Sequence, residues 1–252
     1  MTEKTMGLVM EIAQQMVESG AEIGRVEESI IRICQAYGCV RTDAYATLSS
    51  MIVTAETEDG CFYTQSRRIK QTAPDMERLH RLNGLVRYLS DYAPADDYIV
   101  ARLEEIRRLK PYPFGIQVLF NSLIAGSFCL FFGGRDFLEI LFSFLIGAAV
   151  GVIGKGLDQI RSNRILSRFV CSLFAGLSAL ALLRIGWIGT VDNIIIGNIM
   201  SLIPGTGLTN ALRDLFTGDT ITGILRLMEA LLLASAIALG FLASVYVTGG
   251  AV

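Results

Sequence analysis

The stretch that decides the fold reads IIIGNIMSLIPGTGLTNALRDLFTGDTITGILRLMEA, from Ile194 to Ala230. It starts as an apolar run and breaks at Pro204-Gly205. It then turns polar and charged, and re-enters an apolar run that continues toward the C-terminus. Pro204 has no N–H and blocks the helical bond to residue 200, which frees the Met200 carbonyl. Gly205 and Gly207 let the backbone turn and approach a ligand. Non-helical backbone at membrane depth is tolerated only where it is buried in protein or lines a cavity. Discontinuous helices of this kind build solute sites in transporters.

Composition agrees with a membrane class. The 252 residues are 52% hydrophobic with 18% charged side chains, and the mean hydropathy is +0.50. The charges are uneven. Residues 1–110 hold 17 of the 24 acidic and 14 of the 22 basic side chains. This predicts a mixed architecture. A small cytosolic α+β domain (1–110) precedes a helical transmembrane domain (111–252) of five spans, broken in its fourth/fifth helix region. A net charge of −2 without basic blocks predicts no nucleic-acid partner. Cys34, Cys39, Cys61, Cys129 and Cys171 form no CxxC pair, and His80 is the single histidine, so no metal or other cofactor is expected. Free thiols fit a reducing compartment. The first 30 residues hold no signal-peptide pattern, which places the N-terminus in the cytosol.

In the N-terminal part, apolar residues from Met6 to Cys34 recur at helical spacing. They predict one helix over 4–37, or two with a bend near Ser19-Gly20, ended by Gly38. Residues 50–55 and 61–64 read as strands around the Glu58-Asp59-Gly60 turn, with a third strand over 42–47. Pro74 and Pro94 open two further helices. Glu18, Glu22 and Arg25 would share a helix face, which reads as a solvated face laced with ion pairs. His80 lies on a charged helix and reads as solvent-facing. No hydrolase, Walker or dinucleotide motif is present, so the chain is not read as an enzyme. A membrane-bound hydrolase would rest only on Ser19, Glu22 and Arg25.

Five apolar segments follow, over 114–132, 138–153, 167–183, 193–203 and 221–247. A span takes about 20 apolar residues. The second and third are short and would lean on flanking Gly or on snorkelling Arg168 and Arg184. Arg107, Arg108 and Lys110, then Lys155, Arg161, Arg164 and Arg168, then Arg213 and Arg226 mark one side. The other side carries only Arg135 and Arg184. The positive-inside rule makes the first side cytosolic, with the N-terminus inside and the C-terminus outside. Gly147 and Gly151 form a GxxxG, read as ordinary packing within the chain.

Behind the break stand Thr206, Thr209, Asn210, Arg213, Asp214, Asp219, Arg226 and Glu229. Asn210, Arg213 and Asp214 would share one face of a short helix. Thr222, Arg226 and Glu229 would share a face of the last segment, with Arg226 and Glu229 spaced to pair. Ionisable residues inside a bilayer cost at least about 2.5 kcal/mol and face a partner or cavity. A plain cytosolic loop is the competing reading. Leu208, Ala211, Leu212, Leu215 and Phe216 at helical spacing favour a re-entrant half-helix over it.

Two stretches, SGAEIGRVEESIIRICQAYG (Ser19–Gly38) and IPGTGLTNALRDLFTGDTITGILRLMEA (Ile203–Ala230), with PYP at Pro111–Pro113, resemble the threonine/serine exporter family over nearly the whole chain. The resemblance implies a proton-motive-force-linked exporter of small amino acids such as threonine and serine, in the plasma membrane. Related two-subunit members export dicarboxylates such as succinate, pairing a subunit like this one with a smaller membrane subunit. Ending after five spans, the chain reads as the larger subunit. The family's polar pattern falls on Pro204, Gly205, Asn210, Asp214, Gly218 and Arg226.

The mechanism expected from this is substrate binding by Pro204, Gly205, Thr206, Thr209, Asn210, Arg213 and Arg226. Asp214 is first choice for proton coupling, with Glu229 behind it. A five-span partner would insert upside down and place the site at an inverted-repeat interface. A membrane-anchored sensor or regulatory subunit of a transport complex is the alternative.

Overall fold

A computed structural model describes residues 1–70, 72–160 and 162–250. Arg161, one of the orientation charges, lies outside the described residues. The chain forms two compact units: Met1–Lys110 with Asn210–Leu225, and Pro111–Thr209 with Arg226–Val252.

The first unit begins with α1 (Glu3–Glu18) and α2 (Ile23–Ala36). The long helix read from the sequence is thus two helices, and the bend is a full break. Gly20 sits at φ 90°, and Glu22 is the N-cap of α2. Glu18, Glu22 and Arg25 therefore do not lie on one helix face. The chain leaves α2 through Gly38 at φ 81°. The strands β1 (Cys39–Ala46), β2 (Ser50–Thr57) and β3 (Phe62–Arg68) form an antiparallel sheet in the order β1-β2-β3. In β2, Met51, Val53, Ala55 and Thr57 point inward and alternate with more exposed residues, the period-2 pattern of a half-buried strand. Met51, Val53 and Ala55 join a core with Met6, Met10, Met16, Ile23, Ile30 and Ile33 from α1 and α2.

Two more helices complete that core, α3 (Met76–Tyr92) and α4 (Asp96–Arg107). Each starts two residues after the proline expected to open it. At α3 the reason is capping: the Asp75 carboxylate accepts from the Arg78 N–H at 3.0 Å.

The second unit holds α5 (Phe114–Phe131), α6 (Phe137–Gln159), α7 (Arg164–Ile185) and α8 (Asp192–Leu202). After the break come α9 (Gly205–Thr217) and α10 (Thr220–Val247). The 23 residues of α6 and 22 of α7 exceed the sequence estimate. The α6 helix runs on through Gly154-Lys155-Gly156, and the Asn163 side chain caps α7 by accepting from the Ile165 N–H at 2.9 Å. Neither helix needs its flanks to span a bilayer. Among the described residues, α5, α6, α7 and α10 are each long and apolar enough to cross. The pair α8 and α9, bent by 58°, is a broken span or a re-entrant loop, so the count is four or up to five.

Small residues let α5, α6 and α8 approach closely. A Cβ on Gly147 would lie 2.5 Å from the Ala125 Cβ. One on Gly197 would collide with the Ala125 carbonyl. The GxxxG of α6 thus packs against α5 of the same chain.

Candidate functional site

The break is tight. The Ile203 N–H still bonds the Ile199 carbonyl (3.1 Å), and the Leu208 N–H already bonds Pro204 (3.0 Å). Residues 205–217 are helical, not a plain loop. The buried residues of α9 are Ala211 and Asp214, while Leu208, Leu212 and Phe216 are exposed. Its three exposed large apolar residues thus face outward, unlike those of a core helix. Thr206 and Thr209 are exposed, and the Thr209 hydroxyl donates to the Gly205 carbonyl at 3.0 Å.

Asn210, Arg213 and Asp214 do share a face, and it belongs to the first unit. The Asn210 amide donates to the Gly20 carbonyl at 3.2 Å, and Arg213 pairs with Glu22 at 3.1 Å. Asp219 Oδ2 lies against Gly24. Two sequence clusters nearly two hundred residues apart thus meet at the α1–α2 break. A chain boundary at residue 110 misses this, because the polar face of α9 hydrogen-bonds back to the N-terminal unit. Beside it, Glu27 on α2 accepts from the Ala46 N–H at 2.7 Å. Burial pushes its carboxyl pKa above the ordinary value, and the Asp219 charge adds to that.

In the last helix Thr222 and Arg226 are buried. Glu229 is about half exposed and pairs with Arg164 of α7 at 3.1 Å, a partner that its i,i+3 spacing to Arg226 did not point to. Among the described residues, no group of three His, Cys, Asp or Glu side chains is placed to hold a metal ion.

The second unit holds polar groups that the sequence did not single out. Glu139 of α6 is 6% exposed. It accepts from the Thr190 hydroxyl at 2.9 Å and from the Asn193 amide at 3.4 Å. One turn along, the buried Asn198 amide reaches the Ser143 hydroxyl at 3.4 Å. Between α5, α6, α7 and α8 lies a cavity of about 320 Å³, lined among others by Gln117, Asn121, Lys155, Asp158, Arg168 and Ser201. Lys155 reads in sequence as an orientation charge, and Arg168 as an orientation charge and a snorkelling end of the third segment. Nothing in their spacing marks a space shared with Gln117 and Asn121 on another helix.

The sequence profile of the ThrE threonine/serine exporter family matches residues 7–248. The chain belongs to this family. A "Probable threonine/serine exporter" of Mycobacterium tuberculosis is 26% identical over 96% of this chain and 46% of that protein. A "Threonine/serine exporter" of Corynebacterium glutamicum is 22% identical over 93% of this chain and 49% of its own length. The "Probable succinate transporter subunit YjjP" of Klebsiella aerogenes is 28% identical over 92% of this chain and 90% of that protein. The chain thus spans about half of the two exporters and nearly all of the subunit. No solved structure matches. Family membership and several spanning-length apolar helices make this exporter-family chain a multi-pass membrane protein.

Proposed function

We propose that this chain is the larger subunit of a secondary exporter, coupled to protons, for small amino acids such as threonine and serine or for dicarboxylates. The observation that carries this is the burial of Asp214 and Arg226 on the two helices that follow the Pro204-Gly205 break. Ionisable groups at membrane depth face a partner or a cavity and commonly mark substrate and proton paths. The smaller membrane subunit as partner is supported by the near full-length match to a relative named as a transporter subunit. The basic flank of the first helix and the charges at the α6–α7 junction support a cytosolic N-terminus and an outside C-terminus.

In this reading Arg226 meets a substrate carboxylate. The Thr206 and Thr209 hydroxyls supply neutral hydrogen bonds near the break. Asp214 takes and releases the coupling proton, and Glu229 is second choice because it is exposed and already ion-paired. Asn210 and Arg213, engaged by Gly20 and Glu22, hold α9 in place as the site fills and empties.

The test is export from cells expressing the chain with its partner. Asp214→Asn and Arg226→Ala are expected to lower export at least about tenfold at unchanged expression. Normal export by both would remove these residues from the site. Ligand binding without flux in reconstituted vesicles, with the partner present, would favour a sensor subunit instead.

A further inference from the structure

We propose that the cavity between α5, α6, α7 and α8 is a second site, apart from Arg226, that binds a small zwitterionic amino acid, with Lys155 and Arg168 holding its carboxylate and Asp158 taking its ammonium. This rests on the exporter reading for its physiological meaning and on the cavity alone for its chemistry.

The wall is built for occupancy. Gly151, Gly154, Lys155 and Asp158 follow one another at i, i+3, i+4 and i+7 on α6, so all four face the same way. A Cβ on Gly154 would meet nothing nearer than the Cys171 sulfur at 3.7 Å, which leaves the space above it to a ligand. Lys155 and Arg168 are half-buried, and neither is ion-paired among the described residues. Against these two cations the recess sets one carboxylate, the exposed Asp158, which leaves one positive charge for an anion. A carboxylate suits a guanidinium, which can hold both of its oxygens.

The remaining groups select for a second, positive end. The Asn121 amide donates to the Gly147 carbonyl at 2.6 Å, and the Gln117 amide donates to the Tyr112 carbonyl at 2.5 Å. One N–H of each amide is thus engaged, and each carbonyl oxygen remains as an acceptor. The Ser201 hydroxyl donates to the Asn198 carbonyl at 2.9 Å and also keeps acceptor capacity. These oxygens accept from an ammonium or a hydroxyl, and the Asp158 charge repels a second carboxylate. A dicarboxylate would face that repulsion, and a hydroxy amino acid would not. The volume lies at the small end of ligand pockets.

The test is equilibrium binding of radiolabelled L-threonine to the purified full chain in phosphatidylcholine nanodiscs, with succinate as competitor. Saturable binding is expected, with succinate at least about tenfold weaker. Lys155→Gln and Arg168→Gln should each weaken threonine at least about tenfold. Asp158→Asn should narrow or reverse the preference over succinate. Gly154→Leu should abolish binding by filling the recess, at unchanged monodispersity. Absence of saturable binding up to about 10 mM, well above ordinary transport and enzyme constants, would overturn the proposal. So would wild-type affinity in a Lys155→Gln/Arg168→Gln double variant, or a preference for succinate. Loss of binding in anionic-lipid nanodiscs alone would assign the cations to lipid headgroups and overturn it too. Threonine binding by a chain that supports no export with its partner present would leave this site standing and remove the exporter reading.

Discussion

Glu27 shows how a single carboxylate ties the first unit to pH. Its folded pKa lies above the ordinary value of 4.5, first through burial, while the Ala46 N–H opposes the shift and Asp219 reinforces it. As pH rises from 4.5 through the higher folded value, the unfolded chain gives up its proton before the folded one. Stability from this group is therefore full below 4.5 and lost above the folded value. Glu27→Gln keeps an acceptor for Ala46 and removes the charge. It should raise thermal stability over wild type at pH 7 by up to about 1 kcal/mol and by nothing measurable at pH 4, read from unfolding curves at the two pH values. The Glu22–Arg213 pair should be worth less: a double-mutant cycle on thermal stability is expected to give about 0.2–1 kcal/mol. Residue types were legible at this scale and partners were not. Glu22 and Arg213 both stand out in the sequence, but their meeting depends on a helix break whose completeness no local pattern sets. Glu139 passes unnoticed because its donors, Thr190 and Asn193, come from the other end of the helical unit.

Elements were the most legible scale, because apolar periodicity and Gly/Pro punctuation act locally. Strands, hairpin and apolar helices fall close to where the pattern puts them. The ends of α6 and α7 do not, since a hydropathy run stops at the first charge while a helix does not. Lys155 and Asp158 continue α6 for another turn and a half, and that extra length forms one wall of the cavity. On α9 the apolar spacing identified a helix and hid which face is buried; Phe216 is 88% exposed where a core helix would cover it. The close crossing of α5 and α8 makes its own prediction. Gly197→Val must push a side chain into the Ala125 carbonyl, and overpacking of this kind costs about 1–3 kcal/mol. Its thermal midpoint in detergent should fall clearly, while Gly205→Ala, with nothing near its Cβ position, should leave it almost unmoved.

At the scale of the whole molecule, cysteine placement offers a topology experiment without engineering. Cys61, in the β2–β3 hairpin, is exposed, and the other four cysteines are buried. Burial pushes the Cys34 thiol up to about 12, so it stays protonated and inert. A maleimide should therefore modify the native chain at Cys61. If the N-terminal unit is cytosolic, a membrane-impermeant reagent should reach it in inverted vesicles and not in intact cells; labelling in intact cells would reverse the orientation. The return of residues 210–225 to the first unit has a further consequence, for biosynthesis. A domain usually folds as soon as its own residues have left the ribosome. Here a segment of that unit is made only after α5 to α8. Nascent chains halted before Asn210 should display a protease-sensitive α1–α2 junction, and chains that have emerged past Leu225 should not. The core of the N-terminal unit lies within its first 110 residues, so what waits for the later helices is the covering of the α1–α2 junction alone.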